Sequence, residues 1–167
     1  MRIAILSDTH VGPSRVREVL DSVAPHLEGA DRILHAGDIV CSELLDGLRR
    51  FAPVDAVAGN MDGEALHSIL PERTELELAG KRVGLIHGWG APNDLARRVW
   101  ERFTGPDGLP TVDAIVFGHS HRPLVDRHRG VLMVNPGSAT DTRWAPRRSM
   151  AVMRMQDGAL DARIIDL

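Results

Sequence analysis

Three short apolar runs near the start of the chain, RIAIL (2–6), RILHA (32–36) and VDAVA (54–58), are separated by stretches of helical periodicity, and this alternation leaves few folds open. Continuous apolar runs of this length predict strands buried on both faces. Between them, Val16, Val19, Leu20 and Val23 follow i, i+3, i+4, i+7 spacing behind a candidate cap at Ser14. Leu44, Leu45, Leu48 and Phe51 repeat the pattern behind Ser42. Strand, helix, strand, helix, strand in that order predicts a parallel sheet, because each helix carries the chain back across it.

The second half differs. TELELAGKRVGLIHG (74–88) predicts a hairpin turning at Ala79–Gly80, and DAIVFG (113–118) predicts a further buried strand. Strands over 123–128 and 131–135 join at Arg129–Gly130, and a last hairpin joins 149–155 to 160–167 around Asp157–Gly158. A helix is expected over 93–103, where Leu95, Val99, Trp100 and Phe103 share a face behind Asn93. An alternating half followed by a β-rich half predicts an α/β fold, two packed sheets with helices outside. The chain length suits a single domain over 1–167.

Polar residues competent to bind a metal fall at the C-terminal ends of these strands: Asp8 and His10 in SDTH, Asp38 in HAGD, Asn60 in AGNMD, His87 in LIHG, His119 and His121 in FGHSH. Ligands of α/β sheets bind outside those strand ends. On an extended backbone, residues two apart face the same way, which would pair Asp8 with His10 and His119 with His121. Singly, each has a plain alternative: His87 a core or turn histidine, Asn60 a turn residue, Asp38 a helix N-terminal charge. Together they count out as two sites of four ligands each, if one carboxylate bridges. Mixed oxygen and imidazole donors suit Mn, Fe, Zn or Ni better than Mg or Ca, and paired cations suit in-line attack on phosphorus.

Charge and composition narrow the partners. The net charge is −3, and nineteen of the twenty basic residues are arginines scattered in runs no longer than two. No nucleic-acid polymer is expected as a partner. No stretch approaches the roughly 18 apolar residues of a membrane span. The apolar start MRIAIL meets Asp8 too early for a signal peptide, so no membrane partner and a cytoplasmic location are expected. Cys41 stands alone, which excludes an intrachain disulfide and any CxxC motif and suits a small apolar filler. A homodimer is the default oligomer. His35 reads as packed inside its strand or as a neighbour of the ligands, Arg122 as a surface residue or a phosphate contact, NPGS (135–138) as a type II turn or a wall of the site as well, and Asp62 as without catalytic role.

DTH, GD, GN, H and GHSH, in this order, resemble the calcineurin-like metallophosphoesterases, and among them the small bacterial and archaeal YfcE-type phosphodiesterases. The likeness runs from Asp8 to NPGS and implies a four-layer α/β/β/α sandwich, the metallophosphatase fold. It implies two divalent cations, manganese first, with iron, zinc or nickel as alternatives. Asp8, His10, Asp38 and His121 would hold one, and Asp38, Asn60, His87 and His119 the other, with Asp38 bridging and a shared hydroxide as nucleophile. The residues expected to serve catalysis are Asp38, Asn60 and His119. Many members carry a histidine after the Asn that assists the leaving group; this chain has Met61, as the YfcE-type branch also lacks it. General acid help is typically worth ~10²–10⁴ in rate, so the expected substrate is a small phosphodiester with a good leaving group. A phosphomonoesterase or nucleotide phosphatase, or a weakly catalytic scaffold protein of the same fold, are the alternatives.

Overall fold

The computed structural model describes residues 1–167. It contains two five-stranded mixed sheets. The first has strands β1 (Arg2–Leu6), β2 (Arg32–His35), β3 (Val54–Ala56), β9 (Ser149–Gln156) and β10 (Ala159–Asp166) in the order β10-β9-β1-β2-β3. The second has β4 (Arg73–Leu78), β5 (Lys81–Ile86), β6 (Ala114–Val116), β7 (Leu124–His128) and β8 (Val131–Asn135) in the order β4-β5-β6-β8-β7. As expected from the alternating half, β1, β2 and β3 run parallel, Ile5 opposite Leu34 and Leu34 opposite Asp55.

The layers follow from period-two alternation along each strand. Ile3 and Ile5 of β1 point inward with Leu34, Ala151 and Met153 to meet Val83, Leu85, Ala114, Val116, Leu132 and Val134 of the other sheet. Ala4 and Leu6 point outward, under Val19, Val23 and Leu27 of α1 (Val16–Leu27) and Leu44, Leu45 and Leu48 of α2 (Ser42–Arg49). Ile115 and Met133 point outward on the second sheet, under Val99, Trp100 and Phe103, the first two belonging to α4 (Leu95–Glu101). The result is the α/β/β/α sandwich that the resemblance implied. No helix is long and apolar enough to cross a membrane.

Local differences have physical reasons. Ser14 does not cap α1; it lies in a 3-10 turn, Pro13–Arg15, made ready by the fixed φ of Pro13, and Arg15 is the cap residue. Ser42 is the first residue of α2 rather than its cap, and Phe51 lies past the helix end, 40% exposed. The helix expected over 93–103 is shorter, entered through Asp94 at φ 60° rather than capped by Asn93. The stretch 61–72 contains a short α3 (Glu64–His67) that four residues of weak periodicity could not announce. Strands foreseen to 36, 58 and 118 end early, freeing the residues that follow to turn toward one edge of the sandwich.

Packing between β5 and the α4 layer leaves no room at Gly84, where an added Cβ would lie 2.6 Å from the Phe103 ring. Gly84→Ala is therefore expected to cost about 1–3 kcal/mol through overpacking and Phe103→Ala about 3–5 kcal/mol through a cavity. In urea unfolding the double variant should cost less than the sum, because the truncated ring makes room for the methyl group.

Candidate metal centre

All seven strand-end residues meet at one edge of the sandwich, four from the first sheet and three from the second. The backbone that delivers them is not extended. Asp8 (φ 53°), His10 (44°), Asp38 (56°), His119 (68°) and His121 (55°) are all left-handed. Asp8 and His10 reach the same group of donors, 3.8 Å apart, but His121 turns to His10 and Asp8 while His119 turns to Asn60, so sharp turns rather than strand alternation set where each side chain goes. Asp62 secures one of these turns: its carboxylate accepts from the backbone N–H groups of Asp38, Ile39, Val40 and Gly59 at 3.1, 2.7, 2.7 and 2.8 Å. Asp8 secures another, accepting from the His119 N–H at 3.0 Å and the Ser7 hydroxyl at 2.7 Å. Gly118 must stay bare here, since a Cβ would fall 1.8 Å from the Ser7 Oγ.

Donor atoms then converge. His10 Nε2 lies 3.2 Å from His121 Nε2, 3.4 Å from Asp38 Oδ2 and 3.8 Å from Asp8 Oδ1. His121 Nε2 lies 3.3 Å from Asp8 Oδ1. On the other side His87 Nε2 is 3.3 Å from Asp38 Oδ2 and 3.2 Å from Asn60 Oδ1, and His119 Nδ1 is 2.9 Å from the same Asn60 oxygen. Atoms bonded at about 2.1 Å to one ion sit about 3.0 Å apart at a right angle and about 3.4 Å apart at the tetrahedral angle. All but the 3.8 Å between His10 and Asp8, which asks for a wider angle, fit that range, and Asp38 Oδ2 is near-equidistant from the two groups. Asp8 also approaches the second group, 3.9 Å from His87 Nε2, which the sequence did not suggest.

The hydrogen bonds on the far sides of the rings decide what these atoms are. His87 donates from Nδ1 to the Ala36 carbonyl at 2.7 Å, His121 from Nδ1 to Asp141 Oδ2 at 3.0 Å, and His119 from Nε2 to the Gly90 carbonyl at 2.8 Å. Each acceptor has no proton to give, so in the neutral ring the nitrogen facing the centre carries the lone pair. Lone pairs and carboxylate oxygens facing one another at these distances need a positive charge between them. The donor set fits divalent cations with mixed oxygen and imidazole preference.

Without a cation, burial and neighbouring charges shift the titration of these groups in different directions. His87 is buried, which opposes its charge, but the Asp38 hydrogen bond, the charges of Asp8 and Asp38 and the Ala36 carbonyl together raise its pKa. His121 is raised likewise, burial being outweighed by Asp8 and Asp141. His10 goes the other way, burial outweighing Asp38 and Asp8. Asp38 is lowered, the burial penalty being overcome by His87, the Met61 N–H and His10.

Several residues that shape the centre carried little sequence signal. Asp141 orients His121 and is itself held by Arg143 Nε at 2.7 Å. Asn135 and Ser138 of NPGS do more than turn the chain. Asn135 donates to the Gly118 carbonyl at 2.8 Å, and the Ser138 hydroxyl to the Asp8 carbonyl at 2.7 Å; Gly137 at φ 78° fits the type II turn. His35 is wholly buried, its Nε2 3.2 Å from the Thr9 hydroxyl, and burial pushes its pKa down to about 4. Arg122 does not reach the centre; its guanidinium lies over Trp144.

Known proteins are similar to this chain in sequence and in fold. The family profile for the calcineurin-like phosphoesterase superfamily domain matches residues 1–158. A probable metallophosphoesterase of Methanothermobacter thermautotrophicus is 36% identical over 99% of this chain and 92% of its own. The E. coli phosphoesterase Yfce shares the fold at TM-score 0.66 and 21% identity, covering 99% of each chain. Vps29 of Entamoeba histolytica, solved in complex with zinc, does so at TM-score 0.69 and 23% identity, again covering 99% of each.

Loss of the Asp141 carboxylate frees the His121 ring, so Asp141→Asn should weaken manganese binding roughly 10–100-fold by calorimetry with little change in melting temperature of the metal-free protein. His35 gives a separate pH signature. Between pH 6.5 and about 4 the unfolded chain takes up a proton that the folded His35 refuses, so this group lowers stability as pH falls, by at most about 1.4 kcal/mol per pH unit. In metal-free protein His35→Gln should flatten that part of the urea-stability profile.

Proposed function

The chain belongs to the calcineurin-like phosphoesterase superfamily, and we propose that it is a two-cation hydrolase acting chiefly on phosphodiesters. The observation that carries this is the convergence of donor atoms, with His87, His119 and His121 each aimed inward by a hydrogen bond behind its ring. Asp8, His10, Asp38 and His121 would hold one cation, and Asp38, Asn60, His87 and His119 the other. The near-equal distances from Asp38 Oδ2 to His10 and His87 support it as the shared ligand. When bound, such a pair supplies Lewis acidity toward a phosphoryl oxygen and lowers the pKa of water. The donor set favours manganese, with iron, zinc or nickel also compatible.

The preference for diesters rests on what stands beside Asn60. Met61 is 59% exposed at the rim and its thioether has no proton to donate. Asp62 could in principle act as an acid, but both its oxygens are engaged by backbone N–H groups. The leaving group must therefore depart without a proton from these two residues, which disfavours alkyl monoesters.

Metal-stripped protein reloaded with manganese is expected to turn over bis-p-nitrophenyl phosphate faster than p-nitrophenyl phosphate. His119→Ala and Asp38→Asn should each lower kcat/KM by at least ~100-fold. Silence on both esters with Mn, Fe, Zn and Ni, while metal still binds, would overturn the hydrolase and favour a metal-holding scaffold.

A further inference from the structure

A cleft of about 290 Å³ opens directly from Asn60 and His87 and leads away from the metal centre. Its outer wall is made by His67, Glu72, Arg73, Trp89 and Arg102. That volume lies at the small end of ligand pockets, which run about 300–1,000 Å³. It has room for a nucleoside-sized group.

Its chemistry is mixed in a particular way. The Trp89 indole is 42% exposed, and the Arg102 guanidinium lies 5.7 Å from its ring centroid. The Trp89 backbone is fixed from behind, its carbonyl accepting from Arg98 Nη2 at 2.8 Å. Arg73 donates to the Arg102 carbonyl and lies 5.5 Å from the Phe103 ring, so both cations are placed by packing. Two arginines against Glu72 leave the cleft positive. A flat apolar leaving group would use the indole but neither cation, and a sugar phosphate would use the cations but not the indole. An alcohol would need the proton that Met61 and Asp62 do not give.

We propose that this cleft is the leaving-group subsite and that it selects a nucleoside monophosphate, so that the substrate is a nucleotide joined to a second group through a phosphoanhydride. The proposal rests on the phosphoesterase reading and names its substrate class. The base stacks on Trp89, Glu72 accepts from a ribose hydroxyl or a base amine, and Arg73 and Arg102 face the departing phosphate. In the reaction, the oxygen of water forms a bond to the phosphorus held at the metal centre, and the bond from that phosphorus to the bridging oxygen breaks. The bridging oxygen keeps the electron pair on the nucleoside monophosphate, and the two protons of water pass to the phosphate products or to solvent according to pH. A phosphate with a second pKa of about 6 leaves as an anion without an acid.

The test separates binding from hydrolysis. Metal-stripped protein is titrated with AMP, ribose 5-phosphate and inorganic phosphate, in the wild type and in Trp89→Ala, Trp89→Phe and Trp144→Ala. AMP should bind roughly 5- to 150-fold tighter than ribose 5-phosphate, the range for stacking one base on an aromatic ring. Trp89→Ala should abolish that margin, Trp89→Phe should keep much of it, and Trp144→Ala, which does not line the cleft, should not alter it. With manganese, diadenosine pyrophosphate should be cleaved faster than adenylyl-adenosine, whose leaving group is an alcohol. Equal binding of AMP and ribose 5-phosphate, or equal cleavage of the two dinucleotides, would overturn the proposal while hydrolysis of bis-p-nitrophenyl phosphate still upheld the phosphoesterase. Selective AMP binding with neither ester nor anhydride hydrolysed would overturn the phosphoesterase and, with it, the leaving-group role of the cleft.

Discussion

The convergence of acceptor atoms at one edge of the sandwich governs much else in the molecule. Oxygens and bare imidazole nitrogens about 3 Å apart repel one another, and the turns that aim them are left-handed at five non-glycine positions. Conformations of this kind cost roughly 1–3 kcal/mol each. What holds them is a lattice of backbone donors on buried carboxylates. Asp62 binds the turn after β2 to the turn after β3, and Asp8 binds the turn after β1 to the one after β6. The site is therefore maintained by anions that engage the main chain as much as by those that face inward.

This division explains what could be read in advance. Strands showed in apolar runs, and the hairpins showed in Ala79–Gly80, Arg129–Gly130 and Asp157–Gly158, each of which adopts the two positive φ values a tight hairpin turn demands. The seven strand-end side chains were legible because their types and order are unusual as a set. Their pairing by extended alternation was not right: left-handed turns aim each side chain, and His119 and His121 face opposite donor groups. Asp62, Asn135, Ser138 and Asp141 escaped because their partners are backbone groups or rings distant in sequence, with no periodicity to betray them. Asp62 in particular reads as one more acidic residue after a turn until the four N–H groups around it are seen. NPGS was legible as a turn and illegible as a brace for Asp8 and Gly118.

Leaving-group chemistry joins the metal centre to its surroundings. With a thioether beside Asn60 and with both Asp62 oxygens occupied by amides, neither of the two residues that follow Asn60 has a proton to give. The burden shifts to whatever departs, and the positive, indole-walled cleft opening from Asn60 and His87 is where a group able to carry its own charge would lie. Catalytic economy and substrate recognition are then two aspects of one loop arrangement.

The candidate metal ligands come from both sheets: Asp8, His10, Asp38 and Asn60 follow strands of one, and His87, His119 and His121 follow strands of the other. A cation gripped from both sides would act as a clasp across the sandwich, because separating the sheets would mean giving up the ion. Binding energy spent there would count toward persistence of the folded chain whether or not a substrate ever arrives. Natural selection for endurance alone could then preserve all seven ligands in a lineage that no longer hydrolyses anything, so that turnover could be lost long before the metal is.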